Sequence, residues 1–238
     1  MGFERYGNWL GKTWAYAVFC EHHTEMNQLY WSFVPVAGFC SHIARHQKPN
    51  EGLDTLFHAS GPDLRRLAPT NKDWQLDFSN FGNWVRLNVV VAISSYLEVF
   101  MRAIISAALK SDPAAPKGNT RAVDGAYLLK REAQQDFESE IKNCVVGEWQ
   151  SRVAQYRRLF KNVPSVLEDS IGELERIRIF RNSVGHTFGR DVENYEYNLI
   201  SRFVPMQRLQ HRRMLRWLGL IEDTVRAIEN HLLSFHIA

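Results

Sequence analysis

The chain has 238 residues, of which 45% are hydrophobic and 23% are charged, and its formal net charge is +3 at pH 7. This composition is typical of a folded globular protein and excludes a disordered, fibrous or low-complexity chain. The three cysteines are too few and too widely spaced for a disulfide framework, so we expect a cytoplasmic protein. The mild excess of positive charge is compatible with a nucleic-acid partner without requiring one.

The first 75 residues have the least regular pattern of the chain. Two short helices are predicted, at residues 9–19 and 29–44, followed by a loop at 47–77, where proline, glycine, asparagine and aspartate are frequent. We therefore treat residues 1–79 as an N-terminal segment that is helical and packed on the core, with no function assigned.

Cysteines and histidines cluster within this N-terminal segment, at Cys20, His22, Cys40 and His42. Four such side chains are the number that a structural zinc ion requires, but the Cys-x-His spacing differs from that of a zinc knuckle. The simpler interpretation is that the cysteines are buried and free. No metal is assigned, and zinc binding stays an open alternative.

Long helical periodicity begins at residue 84. Apolar residues occupy more than one face of the segment 87–105, which predicts a central helix. The charges of Arg86, Glu98 and Arg102 argue against a transmembrane span. Residues 111–120 are predicted to end this helix as a flexible connection.

Three later segments are also predicted to be helical. The first ends with an apolar seam at residues 149–160. The second begins with a capping box of Ser165 and Glu168 and runs to about residue 186. The third begins at Pro205. No alternating apolar and polar run is long enough for a strand. The predicted fold class is all-α.

Two charged residues occupy positions that the helical pattern reserves for apolar side chains. Arg181 lies in the apolar seam 174–184, and Glu98 lies in the stripe 87–105. A charge at such a position is costly unless it is paired or faces a cleft. We therefore expect Glu98 and Arg181 to meet, either as a structural ion pair or as part of a site with Asn182 and His186.

The segment Arg181-Asn182-Ser183-Val184-Gly185-His186 resembles the Arg-x4-6-His motif of HEPN (higher eukaryotes and prokaryotes nucleotide-binding) domains, in its Arg-Asn-x-x-x-His form. As in that family, the motif closes a late helix, and residues 95–100 with Glu98 resemble the family's acidic segment on an earlier long helix. The resemblance covers residues 80–238. It implies that they form a HEPN-like helical bundle, with residues 1–79 as an additional segment.

Many domains of this family are metal-independent endoribonucleases of toxin–antitoxin, abortive-infection and CRISPR systems, and the resemblance implies that function here. It also implies a homodimer whose two motifs form one cleft, RNA as substrate, an antitoxin or other regulatory protein as partner, and no cofactor. No membrane partner is expected, because no apolar window predicts a transmembrane span. His186 would transfer protons and Arg181 would hold the phosphate. Asn182 would hydrogen-bond the phosphate or fix His186, and Glu98 would position Arg181. The alternative is a catalytically silent module that binds a nucleotide or a protein.

A basic run begins the predicted last helix. Arg208, Arg212 and Arg216 are four residues apart and share one helical face, and together with Arg178 they are candidates for contacts to the RNA backbone. A solvated basic face without a partner is the more common meaning of such a run.

Overall fold

The computed structural model describes residues 11–53, 68–112, 137–187, 189–190 and 206–237. Within these ranges the chain is all-α, as predicted, and its β pairing is limited to an isolated bridge between Gly52 and Thr70. The helices are α1 (Trp14–His46), α2 (Asn71–Ser111), α3 (Glu138–Val145), α4 (Trp149–Phe160), α5 (Ser165–Asp169), α6 (Ile171–Thr187) and α7 (His211–Ile237).

The chain divides into two compact units, each assembled from separate stretches of sequence. The first unit contains residues 1–24, 90–182 and 215–238, and the second contains 25–89 and 183–214. Helices α1, α2, α6 and α7 contribute residues to both units. The predicted boundary after residue 79 falls inside α2. The division into an N-terminal segment and a HEPN-like domain stays a prediction.

Apolar faces of α2, α4 and α7 form the core of the first unit. Helix α7 contributes an apolar seam from Leu218 to Leu232, where the residues at helical spacing are buried. Burial of one large apolar side chain stabilises a fold by about 1.5–3 kcal/mol. Large side chains of this unit that are fully buried include Phe19, Phe100, Met101, Tyr156, Phe160 and Trp217.

Helix α1 is a single helix of 33 residues, and the prediction of two short helices is wrong. One polar residue of the stretch between the two predicted helices is held by a contact from a distant part of the chain. His23 is buried, and its Nε2 lies 2.7 Å from a carboxylate oxygen of Glu222. Pro35 lies inside the helix and removes one backbone hydrogen bond without ending it. At the N-terminus, the Thr13 hydroxyl oxygen accepts from the N–H of Tyr16 at 3.1 Å.

Helix α2 begins at Asn71, inside the segment predicted to be a loop. Thr70 and Asp73 form a capping interaction, since the Thr70 hydroxyl donates to Asp73 Oδ2 at 2.6 Å and accepts from the Asp73 N–H at 3.3 Å. The helix ends at Ser111, as predicted. It contains the one stretch in the described part of the chain that is long and apolar enough to cross a membrane. Half of this stretch is buried within the fold.

The helix predicted from Ser165 to about residue 186 is divided at Ser170 into α5 and α6. The predicted capping box is wrong, because α5 has no side-chain cap. Its first turn is closed instead by the carbonyl of Pro164, which accepts the N–H of Glu168 at 3.1 Å. The Glu168 carboxylate pairs with Arg157.

Helix α7 begins at His211 rather than at Pro205, which lies outside the described residues. A side chain of α2 holds the preceding segment in a non-helical conformation. The Asn83 amide donates to the carbonyl of Gln207 at 3.1 Å and accepts from the N–H of Leu209 at 3.0 Å. Backbone groups paired in this way do not join a helical hydrogen-bond ladder.

Candidate active site

Glu98 on α2 and Arg181 on α6 form the ion pair that the sequence predicts. Arg181 Nη2 lies 3.4 Å from Glu98 Oε2, and both residues belong to the first unit. Their side chains are 34% and 29% exposed, so the pair lies at the edge of the apolar core. The prediction that two charges in the apolar stripes of different helices meet is confirmed.

Arg152 on α4 is a second partner of Glu98, and the sequence analysis does not identify it. Its Nη2 lies 3.4 Å from Glu98 Oε1, its Nε donates to the carbonyl of Gly147 at 2.9 Å, and its guanidinium lies 4.8 Å from the ring centroid of Trp149. The side chain is only 4% exposed. Burial lowers the pKa of the guanidinium, and the charge of Glu98 opposes this shift. Arg152 is therefore the buried counter-charge of Glu98.

Arg178 is engaged by Glu175 of the same helix. Its Nε lies 3.0 Å from Glu175 Oε2 and its Nη2 lies 2.5 Å from Oε1. Glu175 also accepts the N–H of Trp149, at 3.0 Å, at the start of α4. Hydrogen bonding between the two side chains lowers the pKa of Glu175 and raises the pKa of Arg178. The guanidinium is thus paired with a protein carboxylate, and its contact with RNA stays a prediction.

Asn182 and His186 follow Arg181 on α6. Asn182 Oδ1 accepts from Arg181 Nη1 at 3.3 Å, and His186 is exposed in the last turn of the helix. Five helical residues rotate His186 by about 140° from Arg181 and move it about 7.5 Å along the axis. The two side chains of one chain therefore face different directions. Ile179, which is 57% exposed, shares the helical face of Asn182 and His186.

The predicted arginine row at the last helix is only partly present. Arg208 precedes α7, whereas Arg212 lies in its first turn, and both are exposed. Arg216 Nη2 lies 3.6 Å from Glu173 Oε1, an oxygen that also accepts from Trp217 Nε1 at 2.6 Å. The expectation that three arginines share one helical face is wrong, because α7 begins three residues after Arg208. Their role in RNA binding stays a prediction.

Cys20, His22, Cys40 and His42 all lie on α1, and they do not form a shared metal site. Twenty residues separate the two Cys-x-His pairs along one helix, a distance of about 30 Å, so one ion cannot reach both. Burial raises the pKa of the Cys20 thiol to about 12, which disfavours the thiolate that a metal needs. His22 stacks on Tyr96 with ring centroids 5.0 Å apart. Across the described ranges, no three His, Cys, Asp or Glu side chains are grouped to hold an ion.

Comparison of the chain with protein-family models, with curated proteins and with solved structures finds no match. The functional assignment therefore depends on the geometry around Arg181 and on the resemblance of residues 181–186 to the HEPN motif.

Proposed function

We propose that this chain is a metal-independent endoribonuclease of the toxin or antiviral-defence type, in which Arg181, Asn182 and His186 act on the RNA backbone. The observation that carries this proposal is the shared carboxylate of Glu98. Arg152 neutralises it from the buried side, and Arg181 contacts it at 3.4 Å while a third of the Arg181 side chain stays exposed. Because Arg152 already neutralises the carboxylate, the carboxylate positions Arg181 without cancelling its positive charge. That charge can therefore attract a phosphate.

The hydrogen bonds of Arg181 support this role. A guanidinium has five N–H donors, and within the described residues Arg181 uses two of them, toward Glu98 and Asn182. Both contacts, at 3.4 Å to Glu98 and 3.3 Å to Asn182, are longer than the usual N–H···O hydrogen bond. A phosphate oxygen would form shorter, charge-assisted bonds with the same group.

The proposed chemistry uses the nucleophile that RNA itself carries. The 2′-oxygen attacks the adjacent phosphorus, and the bond between phosphorus and the 5′-oxygen breaks. One proton leaves the 2′-hydroxyl for a base, and another reaches the departing 5′-oxygen from an acid, which gives a 2′,3′-cyclic phosphate and a 5′-hydroxyl. His186 serves as base or acid because histidine exchanges protons near neutral pH. Arg181 and Asn182 stabilise the charge on the phosphorane.

A second copy of the chain completes the site in this proposal. One histidine cannot be base and acid in the same step, and the helix turns Arg181 and His186 of one chain about 140° apart. A homodimer whose two α6 helices face each other supplies two histidines and two arginines to one cleft. The exposed side chain of Ile179 provides an apolar contact on the same face.

The test is incubation of the purified full-length protein with total RNA and with tRNA in EDTA, followed by analysis of the product ends. We expect wild type to produce 2′,3′-cyclic phosphate ends and His186→Ala to be slower by about 10²–10⁴-fold. His46→Ala removes another exposed histidine, outside the motif, and should cleave as wild type does. The proposal is overturned if wild type cleaves neither RNA, or if His186→Ala retains the wild-type rate.

A catalytically silent interaction module is the second candidate function. The ion pair itself favours it, because a purely structural arginine also pairs with a carboxylate in this way. The two candidates differ in their effect on a cell that expresses the protein. A ribonuclease of toxin type is toxic, and His186→Ala relieves the toxicity without loss of the folded dimer, whereas a silent module is tolerated in both forms.

A further inference from the structure

A cavity of about 520 Å³ lies in the second unit, where the middle of α1 faces the first half of α2. Its volume falls in the range of about 300–1,000 Å³ that is typical of small-molecule sites. None of the residues proposed for RNA cleavage lines it. Five aromatic side chains do so: Tyr30, Trp31, Phe33, Trp74 and Phe78.

Contacts between rings fix the aromatic wall of this cavity. Trp74 and Phe78 stack with centroids 4.7 Å apart and planes inclined by 19°. Phe33 lies 6.5 Å from Phe78, and Trp31 stays 42% exposed although it lines the same cavity. Such a wall favours a ligand with a flat ring, because aromatic faces stack on planar π systems.

Two arginines give the cavity a positive charge. Arg45 and Arg86 line it, and within the described part of the chain no aspartate or glutamate does. Arg86 Nε donates to the carbonyl of Leu209 at 2.9 Å, which holds this guanidinium in place. Two permanent cations with no acidic side chain among the described lining residues favour an anionic ligand, and guanidinium groups match the geometry of phosphate oxygens.

Tyr30 and His211 add a fixed polar pair to the cavity. The Tyr30 hydroxyl lies 2.7 Å from His211 Nδ1, and the two rings stack with centroids 5.9 Å apart. Trp31 contacts the His211 ring edge-on, also at 5.9 Å. Burial raises the pKa of Tyr30, so its hydroxyl stays neutral at physiological pH. In an aromatic cavity, a few fixed polar groups such as this pair orient a bound heterocycle.

We propose that this cavity binds a nucleotide, with the base against the aromatic wall and the phosphate on Arg45 and Arg86. A fatty acid supplies an anion but no ring. An aromatic amino acid brings an ammonium group, which the two arginines repel. The nucleotide is either a free mononucleotide or one unit of a single-stranded RNA. This assignment does not depend on the proposed ribonuclease activity.

Isothermal titration calorimetry of the full-length protein in EDTA tests the assignment. The probes are AMP, GMP, CMP and UMP, a 2′-O-methyl RNA octamer that cannot be cleaved through its 2′-oxygen, and adenosine as the ligand without phosphate. We expect Arg45→Met to weaken nucleotide binding at least about tenfold. Arg45 is exposed on α1, so this variant keeps its fold. Arg176→Met, which replaces a 70% exposed arginine of the first unit, is the matched control and should bind as wild type does.

Arg86→Lys keeps the charge and removes the guanidinium fork, so it should also weaken binding. If mononucleotides bind and Arg45→Met weakens them, the ligand is a free nucleotide; if the octamer alone binds with the same variant pattern, the ligand is a unit of RNA. The assignment is overturned if no probe binds, if Arg45→Met binds as tightly as wild type, or if adenosine binds as tightly as AMP. The calorimetry measures binding and not cleavage, so none of these results bears on the ribonuclease proposal.

Discussion

The carboxylate of Glu98 lies 3.4 Å from the guanidinium of Arg181, although the two residues are 83 positions apart in the sequence. The other oxygen of the same carboxylate contacts Arg152, which is almost completely buried. One carboxylate cannot neutralise two guanidinium groups, and Arg181 is the more exposed of the two. The arrangement therefore leaves positive charge at the edge of the core, where a phosphate can reach it.

Replacement of Arg152 should destabilise the fold far more than replacement of Arg181. Arg152→Met leaves Glu98 and the carbonyl of Gly147 without their buried partner, so we expect the free energy of unfolding to fall by about 2–4 kcal/mol. Arg181→Met removes a partly exposed group with long contacts and should cost no more than about 1 kcal/mol. Urea-induced unfolding measures both values. An equal loss in the two variants would identify Arg181 as a structural partner and favour the silent module.

Glu175 should contribute stability that is lost at acidic pH. Its pKa is lowered mainly by the hydrogen bond from Arg178, with a further contribution from the N–H of Trp149. A carboxyl group with a lowered pKa in the folded state stabilises the fold fully above its unfolded pKa of about 4.3. This contribution disappears as the pH falls through the lower folded value. The free energy of unfolding of wild type should therefore decrease below about pH 5.

The matched variants for this pH dependence are Glu175→Gln and Glu21→Gln. Glu175→Gln should lose stability less steeply on acidification, because it has no carboxylate to protonate at this position. Glu21 is an exposed carboxyl residue of α1, so Glu21→Gln should follow the wild-type curve. Urea unfolding across the acidic range measures the slopes, and a wild-type slope in Glu175→Gln would show that this carboxyl does not stabilise the fold.

The protein should be a dimer at micromolar concentration, with α6 at the interface. Ile179→Glu places a charge on the exposed face that also carries His186, and it should weaken the dimer and abolish RNA cleavage together. Val146→Glu changes another exposed apolar residue, 53% accessible and outside α6, and should leave both properties unchanged. Size-exclusion chromatography with light scattering measures the mass. A wild-type monomer would remove the second histidine from the proposed mechanism.

The sequence permits prediction of the Glu98–Arg181 pair because each charge interrupts an apolar helical pattern. The same signal marks two residues that the sequence analysis overlooks. Arg152 lies within the apolar seam 149–160, and Glu229 lies within the seam 218–232. Glu229 is fully buried and accepts the N–H of Thr13 at 2.7 Å. A charge within an apolar seam therefore indicates a buried and paired group at both positions.

Other features depend on contacts that a one-dimensional pattern does not contain. The polar middle of α1 suggests a break, but His23 is buried beside Glu222, a residue about 200 positions further along the chain. The start of α7 is set by the Asn83 side chain, which pairs with the backbone before it. The aromatic cavity combines side chains of α1 and α2, so the sequence of either helix alone does not indicate it.

The central claim is that His186 assists attack of the RNA 2′-hydroxyl on the adjacent phosphorus, without a metal. A pair of matched oligonucleotides tests this claim most directly. One oligonucleotide is RNA containing a mapped cleavage position, and the other carries a single 2′-deoxy nucleotide at that position. In EDTA, wild type should cleave the first and leave the second intact, and His186→Ala should cleave neither at a comparable rate. Equal cleavage of both by wild type, or cleavage of the RNA by His186→Ala at the wild-type rate, would contradict the proposed mechanism.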